Sequence, residues 1–377
     1  MVEIRLVDTE NKKQVNEFVQ FPFDLYKGDK YWVPPFRGDI AMEMNKKKHP
    51  FYEHSEADFF TAWQDGKMVG RIAALNNRRY NDYHHETNAS IFLFDSIDNQ
   101  EVANALFGRA ADWAHERKLN GLIGPKGFSV FDGYGMLAEG FDQRQMVNFC
   151  AYNYPYYVKL YETFGFKQIN QYTSMTFTVS EFHLPEKVRK VAEIAQKRGT
   201  LKVFSYKSRK EIVKHGLDIA HMYATSFENN WEFYPMTDRE FDFFVKNTIS
   251  LIDPKLVKFI ANQKDELVGI LVNIPDISAA MQRHNGRITP ALLIDILHET
   301  KVTTNAALNG LGILDQYHGQ GGNALLYCAM EDVFKANPQY KTCEAVQMAD
   351  SAKEVQLEMK TLGLKPNKVH RVYKADI

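Results

Sequence analysis

Chemistry is concentrated in Leu311-Gly312-Ile313-Leu314-Asp315-Gln316-Tyr317-His318-Gly319-Gln320-Gly321-Gly322-Asn323-Ala324. An apolar strand runs into a glycine-rich loop, and the loop opens directly into a helix. Gly319, Gly321 and Gly322 permit backbone conformations and close approach that a Cβ would block. N–H groups at a helix start lack intrahelical acceptors and lie at the positive end of the macrodipole, which suits an anion. A loop of this kind holds a pyrophosphate by its backbone and needs few lysines.

Which phosphate ligand fits is narrowed by spacing. There is no GxxxxGK[ST], so P-loop nucleotide hydrolysis has no support. Gly319 to Ala324 satisfies the dinucleotide fingerprint G-x-G-x-x-A. However, four polar residues, Asp315 to His318, separate the strand from the first glycine, and only 377 − 324 = 53 residues follow. Gln316-x-x-Gly319-x-Gly321 matches instead the Gln/Arg-x-x-Gly-x-Gly/Ala signature, and here the chain resembles the GNAT acyltransferase superfamily. The strand Ala306–Leu314, the helix from Gly322, the strand Cys343–Met348, the closing Leu362-Gly363-Leu364 and the upstream Val268-Gly269 hairpin stand in that superfamily's order. The whole chain further resembles a group of double-GNAT bacterial proteins, through its Asn230-Trp231 loop and its Pro275-Asp276 insertion.

The resemblance implies acetyl-CoA or another acyl-CoA in a V-shaped cleft between Ala306–Leu314 and Cys343–Met348. Gln316, Tyr317, His318, Gly319, Gln320, Gly321 and Gly322 would cradle the pyrophosphate. Gly312, Ile313 and Leu314 would hold the pantetheine arm and polarise the thioester carbonyl. The acceptor amine then needs a base, and the leaving thiolate an acid. Many superfamily members carry a tyrosine four residues before the glycine of the final helix. That position is Met359 in the second half and Tyr161 in the first, so the loop and the tyrosine lie in different copies. Asp276, Glu232 and Tyr161 are the catalytic candidates, with Asn230, Trp231, Tyr234 and Asn273 as substrate-binding candidates. Bland readings stand beside them: Asp276 as a helix N-cap, the 230–234 loop and Tyr161 as packing, His318 as an exposed loop residue.

The elements that must position these residues form two copies of one pattern. Asp65-Gly66-Lys67-Met68-Val69-Gly70 and Lys264-Asp265-Glu266-Leu267-Val268-Gly269 are hairpin turns followed by strands. Thr163-Phe164-Gly165-Phe166-Lys167 and Thr361-Leu362-Gly363-Leu364-Lys365 repeat near the ends. The separations, 165 − 70 = 95 and 363 − 269 = 94, put both landmarks at an offset of about 199. Each half reads strand, helices, hairpin, strand, helix, strand, helix, strand. The expected fold is α/β with a mixed sheet: a degenerate GNAT-like domain at 1–178, a helical connector at 179–200, and a GNAT domain at 201–377. Extra residues are expected at about 127–154 and 275–300.

Composition excludes much else. The 46 Lys+Arg against 47 Asp+Glu leave a net charge of −1, so no nucleic-acid partner is expected. Cys150, Cys328 and Cys343 are too few and scattered for a disulfide framework or zinc ribbon. Adjacent His84 and His85 point oppositely on an extended segment, so no metal is expected. No signal-like start and no apolar run near the roughly 20 residues of a membrane helix are present, which suggests a cytoplasmic protein without a membrane partner. The expected activity is acyl-CoA-dependent N-acylation of a small-molecule amine. Fem-type aminoacyl transfer and non-catalytic CoA binding are the alternatives.

Overall fold

The computed structural model describes residues 1–146, 150–248 and 252–377. In chain order, β1 (Glu3–Leu6) precedes α1 (Lys12–Leu25), whose first N–H groups are capped by the Asn11 side chain. α2 (Arg37–Glu43) follows the proline segment, and β2 (Glu56–Gln64) and β3 (Lys67–Asn76) form the first hairpin. Its turn residues, Asp65 and Gly66, have φ of 51° and 75°, the conformation that Asp-Gly favours. Then come α3 (Arg78–His84), β4 (Asn88–Ser96), α4 (Gln100–His115), β5 (Gly121–Gly124), β6 (Met136–Glu139), α5 (Tyr156–Phe164) and β7 (Lys167–Thr178). The second half runs α6 (Glu186–Arg198), β8 (Leu201–Phe204), α7 (Arg209–Lys214), α8 (Gly216–Thr225) and α9 (Asp238–Thr248). The hairpin β9 (Val257–Asn262) and β10 (Leu267–Pro275), α10 (Ser278–His284) and α11 (Pro290–Val302) come next. β11 (Asn305–Ile313), α12 (Gly322–Ala336), β12 (Thr342–Ala349), α13 (Lys353–Thr361) and β13 (Lys365–Asp376) complete the chain.

The chain from 209 to 225 forms two helices, α7 and α8, broken at His215. The helical insertion is likewise two helices, α10 and α11.

Two compact units form, and neither is contiguous. Unit 1 comprises residues 1–173, 277–299 and 367–377; unit 2 comprises 174–276 and 300–366. In unit 1 the strands lie in the order β1-β2-β3-β4-β5-β13. The chain's last strand closes this sheet, antiparallel to β5, with Tyr373 opposite Gly124 and Asp376 opposite Gly121. The insertion from the second half also docks here. Gln282 Nε2 donates to the carbonyls of Lys30 (3.0 Å) and Trp32 (2.8 Å), and the Arg37 N–H to that of Gly286 (3.2 Å). Gly286 has φ of 64°, and a Cβ there would lie 2.0 Å from the Pro35 oxygen, so only glycine permits the approach.

In unit 2 the order is β7-β12-β11-β10-β9-β8. The end of β7 lies along β12: Thr176 Oγ1 donates to the Cys343 carbonyl (3.2 Å), and the Gln347 N–H to Ser174 Oγ (3.1 Å). α6, from the segment expected to link the copies, lies inside unit 2. Ala192 and Ala195 enter its core, and Arg189 grips Glu331 of α12 through both guanidinium nitrogens at 2.9 and 2.5 Å.

Both units carry the same strand scheme. β4 runs parallel to β5, as β11 does to β12; β3 opposes β4 with Gly70 facing Ser96, as β10 opposes β11 with Gly269 facing Ile313. Gly165 and Gly363, with φ of 115° and 88°, follow α5 and α13. In each unit the fourth strand has one extra residue against its neighbour, a β-bulge, with a positive-φ residue beside it: Leu93 (49°) and Gly310 (145°).

Candidate functional site

In unit 2, β11 and β12 start as partners and then part. Parallel pairing runs from Asn305↔Thr342 to Leu308↔Ala345, yet the strands continue to Ile313 and Ala349. On its other side β11 stays paired with β10 as far as Ile313↔Gly269. The bulge at Asn309-Gly310 turns β11 at the point where pairing stops. A Cβ on Gly310 would lie 2.5 Å from the Tyr223 ring, and Tyr223 Oη donates to the Asn309 carbonyl at 3.1 Å. One edge of the 309–313 backbone is therefore not paired to β12. At Gly312 a Cβ would meet Ser226 Oγ at 2.3 Å, so the end of α8 closes directly on the strand.

The loop beyond β11 is held by its own turns. The N–H groups of Tyr317, His318 and Gln320 donate to the carbonyls of Leu314, Asp315 and Tyr317. The first helical bond of α12 runs from Leu325 N–H to Gly321 O (3.1 Å). The N–H groups of Gly322, Asn323 and Ala324 thus have no acceptor within the helix, and Gly321 offers no capping side chain. Each glycine answers a different constraint. Gly319 (φ 74°) has nothing within 4 Å of where its Cβ would be; Gly321 (φ 87°) abuts Ala195 of α6; Gly322 would place a Cβ 2.5 Å from Ile313 Cδ1. Backbone donors over an open glycine, beside an unpaired strand edge, fit the pyrophosphate and pantetheine of acyl-CoA.

Side chains steady this frame. His318 Nε2 donates to the Ile313 carbonyl (2.9 Å), tying the loop to the strand end, while its ring stays largely exposed. Asn262 Nδ2 donates to Tyr317 Oη (2.7 Å), and Gln320 Nε2 to the Gln316 carbonyl (3.2 Å). The Leu314 N–H donates to Val268 O (3.0 Å). Asn229 Nδ2 donates to Asp315 Oδ2 at 2.5 Å, which brings the neighbouring Asn230–Tyr234 loop to the loop beyond β11.

Within that loop Asn230 and Trp231 are half-buried, whereas Glu232 and Tyr234 are buried. Asp276 is buried, with its N–H on the Asn305 carbonyl (3.0 Å); α10 is capped at Ile277 without a side-chain bond. Asn273 faces Leu308, the last residue of β11 paired to β12. It is fully buried, its Nδ2 donates to the Leu256 carbonyl (3.2 Å), and its Oδ1 has no hydrogen-bond partner. Met359 is packed in the unit 2 core; beside it, Glu358 accepts from Tyr327 Oη at 2.5 Å. Burial and that carboxylate both push the Tyr327 phenol up.

Unit 1 answers the same positions differently. By the shared register, Asp95 and Ser96 stand where unit 2 has Gly312 and Ile313. Asp95 is buried against Arg71 Nε (2.8 Å) and Nη2 (2.7 Å), with the hydroxyls of Tyr26 and Tyr157 at 3.0 and 3.3 Å. The Ser96 N–H donates to Tyr157 Oη (3.0 Å). An ion pair and two phenols thus occupy the bent strand. At the next helix, Asn99 Oδ1 accepts from the N–H groups of Glu101 and Val102, using donors that α12 leaves open. Tyr161 is enclosed by Phe94, Phe107, Phe166 and Tyr373; its hydroxyl has no hydrogen-bond partner, and burial raises it well above the usual phenol range.

One carboxylate group in unit 1 went unread in the sequence. Asp39 and Glu43 lie four apart on α2, and Asp132 accepts from the N–H groups of Phe128 (2.6 Å) and Ser129 (2.8 Å). Desolvation, with Asp132 and Asp39 nearby, lifts Glu43 well above the carboxylate range. The i, i+4 spacing was the available signal, but identical spacing on a solvated helix face means nothing. Among the described residues no group of three His, Cys, Asp or Glu could hold a metal ion.

No family model matches the chain. It is 25% identical over 386 residues to Protein YghO of Escherichia coli K12, covering 97% of this chain and 94% of that protein. It is 22% identical over 338 residues to a bacterial ceramide synthase of Caulobacter vibrioides, covering 87% and 85%. Among solved structures it is similar to a tandem GNAT protein from the clavulanic acid biosynthesis pathway, with a TM-score of 0.56, 10% identity, and coverage of 100% and 98%. With its doubled strand scheme, parting strands and glycine-opened helix, the chain has the tandem GNAT fold.

Proposed function

We propose that the chain is an acyl-CoA-dependent N-acyltransferase whose unit 2 holds the thioester. The carrying observation is that β11 leaves β12 after Leu308 and leads through the 314–321 loop to a helix start with open N–H groups. Unit 1 fills or caps the matching positions. The pyrophosphate would lie on the backbone of Gly319 to Gly322 and the pantetheine along Gly312 to Leu314. In the reaction the amine nitrogen attacks the thioester carbon, the C–N bond forms and the C–S bond breaks. The amine proton passes to a base and the thiolate takes up a proton, giving an amide and free CoA. Glu232 and Asp276 are the proposed bases, Asn230, Trp231 and Tyr234 the acceptor loop, and the unsatisfied Asn273 Oδ1 an acceptor for the amine's N–H. Tyr161 stays with the unit 1 core.

The ceramide synthase relative supports a longer acyl group or a long-chain amine over acetyl transfer to a compact one. A non-catalytic CoA-binding role is the second reading, favoured by the buried Met359 where an acid is expected. Calorimetry with acetyl-CoA and a long-chain acyl-CoA, then thiol release with an amine panel, tests both. Binding that is lost in Gly319→Glu supports the thioester site. Binding without thiol release on any amine selects the second reading, and no binding of either thioester overturns both.

A further inference from the structure

α11 turns its acids inward and Leu293, Ile294 and Leu297 outward. Asp295 accepts from Arg283 Nε (2.8 Å) and Nη2 (2.9 Å) and lies 3.0 Å from His284 Nε2, while Glu299 accepts from Arg283 Nη2 at 2.5 Å. Leu292, on the same inward side, is fully buried. On the opposite side Leu293 is 53% exposed, Ile294 68% and Leu297 57%; Ile288, just before the helix, is 59% exposed. An amphipathic surface helix ordinarily shows the reverse polarity. The arrangement is fixed, because Arg283 bridges α10 to α11 and Gly286 is locked against Pro35.

Within this segment the exposed formal charges are of one sign. Arg287 and Lys301 are exposed, and no exposed residue from 287 to 302 is acidic. The area is on the order of 400 Å², about half of what one partner contributes to a stable protein interface. A convex apolar ridge with cationic flanks matches instead the surface of an anionic bilayer, where the ridge enters the acyl boundary and the cations meet headgroups. Among the described residues no helix is long and apolar enough to cross a membrane. A helix lying in the interface needs no such length.

We propose that α11, with Ile288, is an interfacial docking face for an anionic lipid bilayer. It stands independently of the acyl-transfer reading. The test is co-sedimentation of the full chain with vesicles of phosphatidylglycerol and phosphatidylcholine, against phosphatidylcholine alone. Binding to the anionic vesicles is expected to fall as salt rises. It should weaken at least tenfold in Leu293→Glu/Ile294→Glu, whose melting temperature should stay within a few degrees because both residues are exposed. Arg287→Glu/Lys301→Glu keeps the apolar ridge and should lose the preference for anionic vesicles. Wild-type protein remaining in the supernatant, or the first double variant binding equally well, overturns the proposal. So does concentration-dependent dimerisation in sedimentation velocity that Ile294→Glu abolishes without any vesicle binding.

Discussion

Tyr223 Oη donates to the Asn309 carbonyl at 3.1 Å, at the bulge where β11 departs from β12. The Tyr223 ring also occupies the space a Gly310 side chain would take. One tyrosine thus holds the bend at which β11 leaves β12. Tyr223→Phe removes the hydrogen bond and keeps the ring, so it should cost about 1 kcal/mol of stability. Its effect on acyl-CoA affinity should exceed that, and calorimetry beside thermal melting separates the two. Gly310→Ala forces the ring aside and should cost more in both.

Gly319 and Gly322 should fail in different ways. Gly319 has open space but φ of 74°, so Gly319→Ala should cost about 1 kcal/mol from backbone strain alone. Gly322→Ala adds a clash with Ile313 and should cost about 1–3 kcal/mol as overpacking. Gly319→Glu sets a carboxylate among the open N–H groups and should abolish acyl-CoA binding while the fold survives. Equal melting temperatures for the two alanine variants would contradict this division.

The duplication was legible because Gly70 and Gly269, and Gly165 and Gly363, hold the same structural places in the two copies. The strand exchange was not. The alternation of β13 reads the same whichever edge it pairs, and only three-dimensional closure assigns it to β5. The insertion shows the same limit: Gln282 and Gly286 carry no mark that their partners are Trp32 and Pro35. In the loop, the glycine spacing was readable, but the packing of Gly321 on Ala195 needed the position of α6. Asp95 and Arg71 were hidden for an electrostatic reason, since a charge pair signals nothing until its burial is known.

Breaking that pair should destabilise unit 1. Asp95 and Arg71 are both buried, and the Arg71 Nη1 also donates to the Phe18 carbonyl (2.9 Å). Asp95→Asn leaves a buried guanidinium without its counter-charge and should destabilise by about 3–5 kcal/mol. Replacing both by apolar residues of similar volume, Arg71→Met with Asp95→Leu, should recover most of that loss. Urea unfolding of the three proteins reads the comparison directly, and a double variant weaker than Asp95→Asn would show that the pair contributes more than its own neutralisation.

Stability should also fall on mild acidification, through His370. This residue is fully buried, donates Nε2–H to the Ala151 carbonyl (2.9 Å), and desolvation lowers its pKa to about 4. Above about pH 6.5, the ordinary histidine value, neither state binds the proton and His370 makes no contribution to pH dependence. Between about 6.5 and 4 the unfolded chain takes up a proton that the folded chain refuses, so stability drops as pH falls, by about 3 kcal/mol in all. Below that window the slope ends. Glu331, drawn down to about 2 by Arg189 and Lys335 against its own desolvation, adds a second loss only at lower pH, below the ordinary carboxylate value. In His370→Gln the first component should vanish and the second remain. Urea midpoints measured from pH 7.5 to 3.5 would refute the assignment if wild type and variant kept parallel profiles.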